Sequence, residues 1–134
     1  MSRSGYVEDC DMDALDYGRW RGAVQSALTG KRGQSFLIEL RDALDAMPVK
    51  ELITDNLEHH GQFCTLGVVG NARGMGMDGI DINDPQQVAA KFGIAWSMAA
   101  EIVFMNDEAT NDASPANRWK RMREWVDQQI RKDR

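Results

Sequence analysis

The chain has little of what a membrane span, a disulfide scaffold or a metal site requires. In 134 residues no apolar run approaches the roughly 20 that cross a bilayer, so no membrane association is expected. The opening, MSRSGYVEDCDMD, turns acidic at once and holds no apolar core, so no secretory leader is expected. Only Cys10 and Cys64 carry thiols, far apart in sequence, and without secretory features they are expected to be reduced in a cytoplasm. Neither belongs to a closely spaced cysteine pair. His59 and His60 are adjacent, and in a strand adjacent side chains point to opposite faces. Ligand pairing is therefore absent from His59, His60 and Cys64, and no metal is expected.

Catalytic signatures are equally scarce. A nucleophilic thiol needs a base that is itself oriented by a third group, and nothing in the sequence forces His59 or His60 onto Cys64. The glycine-rich GNARGMGMDG, residues 70–79, lacks both the ending of a P-loop and the dinucleotide-binding spacing. Arg73 is its one cation, which keeps it as a candidate contact for a nucleotide or other small molecule. No catalytic residue and no cofactor emerge, and the chain is expected not to be an enzyme.

What is present fits an ordinary soluble domain. Hydrophobic residues make up 43% and charged residues 28%, enough apolar side chain to form a core. The net charge of -5 is unevenly placed. Residues 1–113 carry 9 Lys and Arg against 18 Asp and Glu, while residues 114–134 carry 7 against 3. An acidic body therefore ends in a basic tail. Residues 1–11 read as an acidic flexible arm and 12–134 as a single helical domain.

Apolar periodicity predicts helices over about 12–29, from Tyr17, Trp20, Val24, Ala27 and Leu28, and 34–47, from Phe36, Leu37, Leu40, Ala43, Leu44 and Met47. The GKRG between them reads as a short turn joining an antiparallel hairpin. Segments 49–57 and 63–69, separated by EHHGQ, suggest a small β-hairpin, followed by a long loop over 71–84. Asp84, Pro85 and Gln87 predict an N-cap, a first-turn proline and a capping-box partner. That helix runs to Phe92, and another follows from Ala95 to Asn106. Ser114 and Pro115 open the last one. The expected fold is mainly α, a compact bundle of about five helices with a possible hairpin in the middle. Its core should include Trp20, Phe36, Leu40, Phe92, Ile102, Trp119 and Trp125.

Residues 85–104 have the spacing of a helix-turn-helix, with Gly93 at the turn. The second helix would present Ala95, Trp96, Ser97, Ala100 and Glu101, with no Lys or Arg between Ile94 and Phe104. A reading helix needs cations and polar groups for phosphates and base edges. The last helix sets Arg118, Lys120, Arg121 and Arg123 beside Trp119 and Trp125, a combination that nucleic-acid faces use. The same pattern arises when the aromatics enter the core and the cations stay in water. Partner-binding candidates are therefore Arg118, Lys120, Arg121, Arg123, Trp96 and Arg73. Glu8, Asp9, Asp11, Asp13 and Asp16 form an acidic surface that could mimic phosphates or be merely solvated.

Several phrases, WRGAV (20–24), GKRGQSFL (30–37), ELRDALDAMP (39–48), the FGIA…EIVFMNDE stretch ending at Glu108, and SPANRWKRMREWV (114–126), resemble a family of small bacteriophage and prophage proteins without an assigned activity. The resemblance implies an accessory phage protein acting in the host bacterial cytoplasm, and it carries over no site residue. The leading expectation is a protein that binds a host protein or complex, as an inhibitor of a defence or regulatory assembly. The alternative is a nucleic-acid-binding regulator using 85–104 and the basic last helix, although specific DNA binding is not expected from so acidic a body.

Overall fold

Prolines and their preceding caps set the starts of two helices in the computed structural model, which describes residues 14–108 and 114–131. Asp84 accepts hydrogen bonds from the backbone amides of Gln86 and Gln87, and Pro85 occupies the first turn of its helix. Proline has no amide to leave unsatisfied there, and its fixed φ suits the helix. Gln87 does not close the expected capping box. Its Oε1 instead accepts from the Asp81 amide at 2.6 Å, tying the preceding loop to the helix. Ser114 Oγ likewise accepts from the Asn117 amide ahead of Pro115.

Six helices form among the described residues: α1 (Ala14–Thr29), α2 (Lys31–Asp45), α3 (Thr65–Ala72), α4 (Pro85–Phe92), α5 (Trp96–Asp107) and α6 (Pro115–Gln129). A two-stranded hairpin, β1 (Glu58–His59) and β2 (Gln62–Phe63), completes the fold. The expected arm over 1–11 lies outside the described residues.

The GKRG segment is not the expected four-residue turn. Gly30 alone separates α1 from α2, and Lys31, Arg32 and Gly33 are already helical. The reason is a close approach: a Cβ on Gly33 would stand 1.9 Å from the Ala27 carbonyl oxygen. Buried Gln34 then secures the corner. Its Nε2 donates to the carbonyls of Leu28 and Gln129, and its Oε1 accepts from the Arg131 amide. One side chain thus satisfies the ends of both α1 and α6.

The middle departs most from expectation. The hairpin exists, but each strand has two residues, joined by His60 and Gly61 with φ of 52° and 77°. Two successive positive φ values give the turn that matches strand twist. Residues 65–72, of which 65–69 were expected in a strand and 71–72 in a loop, form α3. Gly67 and Gly70, which weaken a helix in isolation, are there for contact: a Cβ on Gly67 would meet the Leu57 carbonyl at 1.9 Å, and one on Gly70 would meet Met77 Sδ at 2.5 Å.

The core joins residues from every helix. Phe36, Leu40, Phe92, Ile102 and Trp125 are buried as expected, together with Leu37, Leu44, Leu66, Met98 and Met122. Trp20 and Trp119 are only half-buried against it. Trp119 keeps its edge near solvent while its Nε1 donates to the Leu44 carbonyl at 3.2 Å.

Candidate functional site

Helices α4 and α5 meet at 107° across Gly93, which adopts φ 75°. That is the angle and turn of a helix-turn-helix. The second helix, however, is enclosed. It packs on α1, α3, α4 and α6, and residues 97–103 are all buried. Ser97, Ala100 and Glu101, expected on an outer face, lie inside. Only Trp96, at the first turn, is exposed. A helix enters a groove with a free face, and α5 has little of one.

The cations singled out from the sequence are mostly engaged by the body of the protein. Arg118 donates from Nε to the Asn106 carbonyl at 3.1 Å and from Nη1 to the Leu52 carbonyl at 3.0 Å. Arg121 donates to the carbonyls of Met105 and Asn106. Together they satisfy the carboxyl end of α5, where unpaired carbonyls and the helix dipole both favour cations. Arg123 forms a forked pair with Asp45 at 2.7 and 3.0 Å. Arg73 forms another with Glu39 at 2.8 and 2.7 Å, donates to the Phe92 carbonyl, and lies over the rings of Phe36 and Phe92. The hydrogen bonds from Arg73 and Arg123 hold Glu39 and Asp45 below the usual carboxylate range. Lys120 is exposed on α6.

A different surface forms where α1 crosses α5. Trp96 is 43% exposed and its ring lies 4.8 Å from that of Trp20, tilted by 49°. Tyr17, 46% exposed, is one turn before Trp20 on α1. Three aromatics therefore share one edge of the molecule. Behind them Arg21 Nη1 donates to Glu101 at 2.9 Å, and Ser97 Oγ reaches the Ala23 carbonyl at 3.5 Å. Glu101 is buried, and burial pushes its carboxyl up to about 7 even with Arg21 beside it. Nearby Asp16 is exposed and pairs with Arg19 at 3.5 Å. The other acidic candidates, Glu8, Asp9, Asp11 and Asp13, lie outside the described residues, as does Cys10.

Cys64 is buried at the start of α3, and desolvation pushes its thiol up to about 12. A thiol so reluctant to ionise is a poor nucleophile. The exposed rings of His59 and His60 stand 4.0 Å apart in the hairpin turn. Among the described residues no three His, Cys, Asp or Glu side chains gather as a metal site would require. The glycine-rich stretch does not form a single loop either, since Gly70 belongs to α3 and Arg73 is its C-cap.

Sequence reasoning missed a cleft of about 400 Å³ between the end of α2, the end of α3, the hairpin and Pro115. Met47, Ile53, Phe63 and Val68 form much of its wall, with Glu51, Gln62 and Asn71 as polar lining residues. It was hidden because residues 63–69 were expected as a strand and 71–84 as a loop, where α3 forms instead. No helix among the described residues is long and apolar enough to cross a membrane. No protein-family model, curated protein or solved structure matches the chain.

Proposed function

We propose that this chain is a non-enzymatic binding protein, an accessory protein of a bacteriophage that engages a host protein or complex in the bacterial cytoplasm and inhibits it. The observation that carries the binding reading is the aromatic edge of Tyr17, Trp20 and Trp96, with Trp96 held outward on a helix whose other residues are largely buried. Rigidly mounted tryptophan and tyrosine are the side chains that most often dominate protein interfaces, since they bury large area at small entropic cost. The internal engagement of Arg73, Arg118, Arg121 and Arg123 favours this reading over nucleic acid, because fewer cations are left to neutralise phosphates. The phage and host assignments rest on the sequence resemblance alone.

The nucleic-acid-binding regulator stays as a second reading, supported by the 107° junction of α4 and α5. Affinity capture from infected cells with nuclease treatment separates the two. A protein partner should survive nuclease, and Trp96→Asp should remove it. Recovery of nucleic acid alone, lost with Lys120→Glu, would reverse the ranking.

A further inference from the structure

The cleft beside α2 and α3 has a chemistry of its own. Its floor is apolar and only partly covered, with Met47, Ile53 and Phe63 half-buried and Val49 62% exposed at its margin. Glu51, Gln62 and Asn71 are exposed at its rim, and their side chains have no hydrogen bond or ion pair within the described residues. At about 400 Å³ the space falls in the range of small-molecule sites, which combine apolar walls with a few polar groups that set orientation.

Charge decides what would fit. Glu51 is the one charged side chain among the described residues that line the cleft. The last turns of α2 and α3 also contribute to the wall, through Ala43, Ala46, Asn71 and Ala72. Lys50 places its ammonium on the Asp45 and Met47 carbonyls at 3.0 and 2.8 Å, away from the Glu51 carboxylate. That lysine compensates the α2 end and leaves Glu51 unpaired.

We propose that this cleft binds a small apolar organic cation, an alkyl or aryl amine, with its hydrophobic part against Met47, Phe63 and Val68 and its charge facing Glu51. The site is separate from the Tyr17–Trp20–Trp96 edge and does not depend on it.

The test uses the full chain with two matched probes, naphthylmethylamine and naphthoic acid, followed by amide chemical shifts. The amine should saturate in the range of roughly 1 mM or tighter, with shifts at Ile53, Phe63 and Ala72. The acid should bind at least about fivefold more weakly, and Glu51→Gln should bring the two within about twofold of each other. Ala72→Trp, at a surface position, should fill the cleft and abolish binding while leaving circular dichroism unchanged. Trp96→Asp should leave amine binding intact, which keeps this proposal distinct from the protein-binding one. Equal binding of both probes, no binding of either, or shifts confined to other surfaces would overturn it. So would a concentration-dependent dimer abolished by Ala72→Trp, since a second copy would then be the occupant.

Discussion

Asn106 accepts from both the backbone amide and the hydroxyl of Thr65, at 3.1 and 2.7 Å, across 41 positions of the chain. Its Nδ2 donates to the Ile53 carbonyl at 2.9 Å, and its own carbonyl receives Arg118 and Arg121. The side-chain amide thus holds the start of α3 and the irregular 49–57 segment to the end of α5, and the backbone carbonyl holds α6 there. Asn106→Ala would leave the Thr65 amide and the Ile53 carbonyl without partners, at a cost of about 2–4 kcal/mol. Denaturant melts of Asn106→Ala, Thr65→Val and the double variant should show coupling of at least about 0.5 kcal/mol. Additive losses would mean that the two side chains act independently.

The glycines divide into two kinds, with opposite expected effects. Gly33→Ala and Gly67→Ala would each push a methyl to 1.9 Å from a backbone carbonyl oxygen, which the chain can relieve only by moving a helix. Each should destabilise by more than about 2 kcal/mol, as overpacking at backbone contacts does. Gly18 and Gly22 lie on exposed turns of α1 with nothing within 4 Å of a new Cβ. Alanine there should raise stability by about 0.5–1 kcal/mol. Thermal melts of the four variants check both signs.

Glu101 gives stability a pH dependence of unusual sign for a carboxylate. Its folded value, raised to about 7, exceeds the ordinary 4.5, so the folded state holds the proton more tightly than the unfolded one. Its stabilising contribution is complete below pH 4.5 and is lost as pH rises through 7. Glu39 and Asp45 act oppositely: lowered by Arg73 and Arg123, they stabilise above their ordinary values and lose that effect as pH falls through the folded ones. Between pH 5 and 7.5 the melting temperature should therefore decline, and Glu101→Gln should flatten that decline. An unchanged slope in the variant would assign the dependence elsewhere.

Trp125 is 7% exposed within the core. Trp125→Ala should cost about 3–5 kcal/mol in denaturant melts. A loss under about 1 kcal/mol would place its indole outside the packed interior.

The helical architecture was legible where local chemistry decides it. Asp84–Pro85, Ser114–Pro115 and Gly93 gave three helix ends that the structure keeps, because caps and fixed φ values are local effects. Helix α3 was not legible. Val68, Val69 and two glycines argue against a helix in isolation, and the reason for the glycines lies in Leu57 and Met77, outside the helix. The sites of Arg118 and Arg121 escaped for a related reason. A sequence shows that an arginine is present on a helix, but not that the carbonyl end of another helix lies within its reach.

The enclosure of α5 has a kinetic counterpart. Amides in a helix walled in by four others can reach water only when much of the molecule opens, so exchange there should report global unfolding. Residues 14–19 of α1 are all exposed and should exchange through fraying that leaves the rest intact. The two helices that together display Trp20 and Trp96 would then sit at opposite ends of the protein's range of local stability. A partner gripping that edge would slow exchange in α1 far more than in α5, and the gradient between them would register its arrival.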